Sequence, residues 1–204
     1  MSTNSSYHHG NLREALLEAG AKLIEEKGIA DVSLRAVAKA AGVSHTAPYR
    51  HFSDKNAMLC GIAETGFRLL GQRLGQAVDS HPGHPGLQLT AAGVAYVELA
   101  IEHPRLHNLM FGGVLAHESV DDSLEEASNQ SFQGLVDIIS RGQQTGVFRA
   151  GDTYELALTA WSVVHGFAML ASTGSLEHRA ASREAKLALA HRVADNLLKG
   201  LATR

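Results

Sequence analysis

The 204-residue chain holds one cysteine, Cys60, four prolines and one tryptophan, and aromatic residues make up only 5% of it. A lone cysteine excludes an internal disulfide framework and fits a reducing compartment. No apolar run approaches the roughly 18 to 20 residues that a bilayer requires, so no membrane partner is expected. The opening Met1-Ser-Thr-Asn-Ser-Ser has no basic segment followed by an apolar one, which predicts a cytoplasmic protein. Alternation of apolar and polar residues, the mark of a half-buried strand, is essentially absent. Signatures of catalysis are missing as well. There is no phosphate-cradling glycine loop, no dinucleotide fingerprint, no Gly-x-Ser-x-Gly elbow and no His-Glu-x-x-His. Gly112-Gly113 falls in a helical context. Neither an enzyme nor a cofactor is expected.

What is present is helical spacing, in a chain that is 45% apolar and 19% charged with a net charge of −3. That overall charge argues against a general polyanion binder, yet its distribution is uneven. Residues 1–55 carry net +1 and four histidines (His8, His9, His45, His51), while the remainder carries −4. A mildly basic head on an acidic body suits local contact with phosphates.

The periodicity predicts an all-α protein of about nine helices. Leu12, Leu16, Ala19 and Leu23 mark a first helix ending at Gly28. Ser33 is a natural N-cap for a short helix from Leu34 to Ala41 that stops at Gly42. Ser44 is placed to cap a third, running to about His51. Ser53-Asp54 caps a long fourth helix bearing Met58, Leu59, Ile62, Leu69, Leu70 and Leu74. The turn-forming stretch Asp79-Ser-His-Pro-Gly-His-Pro-Gly is the clearest break. It divides a head, residues 1–55 with a linking helix to about 78, from a body, residues 79–204. In the body, helices are expected over Leu87–His103, from Pro104, from Asp121 or Asp122 to near Gly146, over Thr153–Ala171 and over Ser182–Leu201.

The informative stretch is Ser33–Phe52. Two short helices joined by Ala41-Gly42-Val43-Ser44 need a sharp turn, which Gly42 can make in the left-handed conformation. Ala38 permits a close crossing, and Val37, Val43 and Phe52 are apolar anchors against the first helix. Such a helix-turn-helix would hold its second helix out toward a DNA major groove. Ser44, His45 and Thr46 then offer short polar groups to base edges. Tyr49, Arg50, His51 and Lys55 offer hydroxyl and cationic donors to phosphates, and Arg35 could reach either.

This stretch, with Gly42-Val43-Ser44, Tyr49-Arg50-His51-Phe52 and Lys55, resembles the DNA-binding signature of TetR-family repressors over residues 7–74. Tyr7-His8-His9-Gly10-Asn11-Leu12-Arg13 is similar to the arm and first helix of one subgroup. Trp161-Ser-Val-Val-His165-Gly166 resembles the Trp-His-Gly motif of that subgroup's C-terminal domain, as does His103-Pro104 followed by Leu109-Met110-Phe111. The resemblance implies a homodimer on a double-stranded operator with two half-sites, released when a small-molecule inducer binds the body. It implies base contacts from Arg35, His45, Thr46 and Ala47, and phosphate contacts from Ser33, Ser44, Tyr49, His51 and Lys55. Pro48 departs from the family pattern, in which an apolar helix former is common, and is expected to alter how the third helix begins.

Two features of the body carry further expectations. The aromatic and flexible residues Phe67, Met110, Phe111, Phe132, Trp161 and His165 are candidates for the wall of a ligand pocket. Leu158, Leu187, Ala190, Ala194, Leu197 and Leu201, on the last two helices, are candidates for a four-helix dimer interface. Gly166 would allow close helix approach. His103 and His107 stand four apart, but Pro104 sets His103 at a helix cap rather than on a shared face, so no metal site is expected. Cys60 reads as a redox switch or, more commonly, as an inert buried thiol.

Overall fold

The computed structural model describes residues 12–115 and 121–203, and over these it is built of eight α-helices. The head comprises α1 (Leu12–Lys27) and α2 (Leu34–Ala40), followed by a short 3-10 turn at Pro48–Arg50. α3 (Lys55–Asp79) runs from head to body. The body comprises α4 (Pro85–Glu102), α5 (Pro104–Phe111), α6 (Asp122–Gln144), α7 (Thr153–Ser172) and α8 (Arg183–Leu201). No described helix is long and apolar enough to cross a membrane.

Three of the expected caps are in place. Ser33 Oγ accepts from Ala36 N at 3.2 Å, Asp54 Oδ1 from Ala57 N at 2.8 Å, and Asp121 Oδ1 from Leu124 N at 2.9 Å, each satisfying an otherwise orphaned first-turn amide. Pro104 opens α5 directly behind His103, which caps both α4 and α5 without a side-chain bond. α2 ends in a Schellman turn in which Gly42 has φ +69°. Val43 N donates to Ala38 O at 3.0 Å and Gly42 N to Lys39 O at 3.3 Å.

One expected helix is not an α-helix. Pro48 has no N–H with which to reach Ser44 O, so the segment after Ser44 closes through shorter bonds. Ala47 N donates to Ser44 O at 3.0 Å and His51 N to Pro48 O at 2.9 Å. Ser44 Oγ lies 3.2 Å from Thr46 Oγ1 and caps no amide of that turn. This accounts for eight α-helices where about nine are expected.

One apolar cluster runs without interruption from head to body. Leu16 and Ile24 of α1 and Val37 of α2 pack with Met58 and Ile62 of α3, and the cluster continues through Leu99 of α4 and Leu109 of α5. A second cluster, with Leu89, Ile139, Phe148, Leu156 and Leu201, fills the far end of the body. There Arg149 N donates to Leu201 O at 2.9 Å, clipping the end of α8 to the segment after α6. Among the described residues, Glu25 and Glu64 make polar contacts that join head to body. Glu25, near the end of α1, accepts from Leu106 N at 2.8 Å, and its carbonyl accepts from Arg105 Nη1 at 2.9 Å, so it caps α5 from outside that helix. Glu64 of α3 pairs with Arg13 of α1 at 3.7 Å and accepts from Ser123 Oγ of α6 at 3.2 Å.

Candidate nucleic-acid interface and ligand cavity

The head buries its anchors and exposes its polar set. Val37 and Ala38 are fully buried and Phe52 nearly so, with the Arg13 guanidinium 5.8 Å from the Phe52 ring centroid. Ser33, Arg35, Ser44, His45, Thr46, Tyr49, Arg50 and His51 are all exposed, and Ala47 is half-buried. Tyr49 is 54% exposed, with its hydroxyl free to reach a partner outside the chain. The side chains of Arg35, His45, Tyr49 and Arg50 make no hydrogen bond to another described residue. Lys55 is placed differently from the rest. It is half-buried, and Nζ donates to Ile29 O at 2.9 Å and Ala30 O at 3.2 Å, tying the start of α3 to the turn between α1 and α2. Of its three donors, two serve the fold.

In the body a cavity of about 510 Å³ opens between α3, α4, α6 and α7, a size common for small-molecule sites. Phe67, Met110, Phe111, Phe132 and Trp161, five of the six residues expected in its wall, do line it. His165 does not line it; it stands behind Phe111, with ring centroids 5.2 Å apart. Sequence reasoning missed the group that holds His165 there. Tyr96 Oη lies 2.8 Å from His165 Nδ1 and 3.2 Å from His107 Nε2, joining α4, α5 and α7. Burial, with a smaller contribution from His165, depresses the His107 pKa from 6.5 to about 4, and burial also lowers that of His165. Burial raises the Tyr96 hydroxyl well above its ordinary range. All three rings are therefore neutral near pH 7. The signals available in sequence were His107 and His165; Tyr96, which joins them from a third helix, is a tertiary fact.

The expected dimer stripe divides in two. Ala190, Ala194 and Leu201 are buried within the chain, packed against its own core, so they are unavailable to a second copy. The reason is that α8 turns the small and apolar side of its stripe inward. Leu187 and Leu197 are half-buried and Leu158 is 41% exposed. α7 adds Tyr154, Val163 and Leu170 to the exposed apolar surface. A Cβ at Gly166 would meet nothing within 4 Å, so the close approach expected there does not occur inside the chain. Among the described residues no three His, Cys, Asp or Glu side chains are grouped to hold a metal ion. Cys60 is buried, and burial followed by Asp121 and Asp54 pushes its pKa up, as suits a packed, protonated thiol. The arm with His8 and His9 lies outside the described residues.

The family model for bacterial regulatory proteins of the tetR family matches residues 16–60, and that for the tetracyclin repressor-like C-terminal domain matches residues 89–197. The HTH-type transcriptional repressor KstR2 of Mycobacterium tuberculosis (strain H37Rv) is 28% identical over 140 residues, 67% of this chain and 69% of that protein. A protein of unknown function from Rhodococcus sp. RHA1 superposes with a TM-score of 0.84 at 35% identity, covering 98% of this chain and 100% of the other. The TetR-family regulator PfmR from Thermus thermophilus superposes with a TM-score of 0.69 at 24% identity over 92% and 99% of the two chains, a likeness of fold. With matched models covering head and body, the chain belongs to the TetR family of DNA-binding transcriptional regulators.

Proposed function

We propose that the protein is a cytoplasmic repressor that binds a near-palindromic double-stranded operator as a homodimer and lets go when a small inducer occupies the cavity of the body. The observation that carries this reading is the exposed polar set of the head, held on a buried scaffold, in which Arg35, His45, Tyr49 and Arg50 make no hydrogen bond to another described residue. Arg35, His45, Thr46 and Ala47 read base edges, while Ser33, Ser44, Tyr49, Arg50, His51 and Lys55 meet the backbone. The exposed apolar face of α7, with Leu158, and the half-buried Leu187 and Leu197 of α8 join two copies. The paired heads then sit about 34 Å apart, one turn of DNA. An inducer acts only if it binds the two head spacings with different affinity.

Selection of bound sites from random duplexes, followed by footprinting, tests the reading. A two-half-site motif is expected, with affinity falling steeply as salt rises. Tyr49→Phe weakens binding to every sequence by roughly 1 kcal/mol, whereas Thr46→Ala changes the preferred sequence. Binding indifferent to salt would instead describe a helical adaptor for protein partners.

A further inference from the structure

We infer that the cavity takes an uncharged, predominantly apolar ligand whose one neutral polar end faces α6, an inference that rests on the cavity being the effector site. The inner wall is aromatic and aliphatic, formed by Phe67, Leu70, Phe111, Phe132 and Trp161 together with Leu135. The one polar group at its floor is already spent. Tyr96 Oη has one proton and two lone pairs, and His165 and His107 already engage it at 2.8 and 3.2 Å. Ser131 Oγ likewise donates to Ala127 O at 3.0 Å. Every buried side-chain nitrogen or oxygen among the described residues has a partner. An ionised group drawn in among these aromatic and aliphatic side chains would find no counter-charge there, and an unpaired buried charge is strongly disfavoured.

The rim leads to the same ligand class. Its charges are one of each sign, Asp137 and Arg141, both exposed and both on α6. Asp137 accepts from Gln133 at 2.9 Å, and Arg141 donates to Gln88 at 3.5 Å. Such a rim offers a charged ligand no net attraction, and water screens what remains. The neutral amide of Asn129, exposed on α6, makes no hydrogen bond to another described residue and suits a hydroxyl or carbonyl. Two glycines of the lining stand where a side chain can be added. A Cβ at Gly75 of α3 or at Gly134 of α6 would meet nothing within 4 Å. Side chains added at these helical positions point into space without displacing the core.

A matched pair of fluorescent probes tests the inference. N-phenyl-1-naphthylamine is neutral, and 1-anilinonaphthalene-8-sulfonate is its analogue carrying a sulfonate. The full chain is expected to bind the neutral probe at least tenfold more tightly. Gly75→Leu and Gly134→Leu, both helix-compatible, weaken that binding at least tenfold, while Arg141→Ala changes it less than twofold. Tighter binding of the sulfonate, lost in Arg141→Ala, would overturn the inference in favour of an anion-selecting site. Neutral-probe binding that survives both leucine variants would place the probe elsewhere and overturn it as well. Binding of neither probe would remove the cavity as an effector site, and with it the ligand class, while leaving the DNA-binding reading standing.

Discussion

At the scale of single residues, chemistry that looks alike in sequence is divided by burial. Tyr49 and Tyr96 carry the same phenol, but Tyr49 is 54% exposed on the head and Tyr96 is 6% exposed at the floor of the cavity. The same division sets a pH response. His107 is 1% exposed, and its pKa falls from 6.5 to about 4. Between those values the unfolded chain takes up a proton that the folded chain refuses. The stabilising contribution is thus complete above about pH 6.5 and is lost as the pH falls toward 4. At one pKa unit per 1.36 kcal/mol, the loss is at most about 3 kcal/mol. Thermal melts at pH 7.5 and pH 5 should show this fall in the wild type. In His107→Phe the dependence should flatten, although stability at pH 7.5 drops by about 1 kcal/mol with the hydrogen bond to Tyr96. An equally steep fall in the variant would assign the acid sensitivity to other groups.

At the scale of elements, the helices are legible because capping and periodicity are local. Ser33, Asp54 and Pro104 mark starts, and Gly42 marks a stop that only a residue tolerant of φ +69° can make. Gly42→Ala should cost about 1 kcal/mol, lowering the melting temperature by roughly 2–4 °C. It should also loosen DNA binding, since it turns the link between α2 and the reading segment; an unchanged melt would show that the turn readjusts without strain. The segment after Ser44 is less legible, because a proline inside a short helix is permitted or disruptive depending on which carbonyl it would have met. Contacts between elements cannot be read at all. Nothing in the sequence pairs Glu25 with the first turn of α5, eighty residues away, or Lys55 with the carbonyls of Ile29 and Ala30. The α5 contact has a mechanical consequence, since α5 carries Met110 and Phe111 into the cavity wall while its other end is capped from α1. Glu25→Ala should therefore destabilise the fold by about 1 kcal/mol, as loss of a cap does. It should also change the DNA affinity of the ligand-free protein. If only stability changed, the cap would be structural alone.

At the scale of the whole molecule, the pattern on the last two helices is legible as apolar but not as core or interface, since one periodicity serves both. Burial separates the two uses: Ala190, Ala194 and Leu201 close the chain's own core, while Val163 and Leu170 share one exposed side of α7 and Leu158 is exposed where that side meets the cavity. Gly166 lies on that helix, exposed, and apart from the helix's own nearby backbone no described atom comes within 4 Å of where a Cβ would stand. A glycine in the interior of an exposed helix costs about 1 kcal/mol relative to alanine. Close approach of a second copy would offset that cost. The two roles predict opposite outcomes for one substitution. If α7 is only a surface helix, Gly166→Leu should raise the melting temperature slightly and leave everything else alone. If α7 packs against its counterpart, the added side chain should hold the subunits apart, and sedimentation should show a monomer at concentrations where the wild type is a dimer. Operator binding should then weaken at least a hundredfold, because two half-sites no longer share one protein, while weak, salt-sensitive contact with any duplex persists through the intact heads. Leu158→Arg, at the edge of the same side, should reproduce the result by placing a charge where an apolar partner is expected. A wild-type monomer bound to the full operator would remove the dimer and its half-site spacing together.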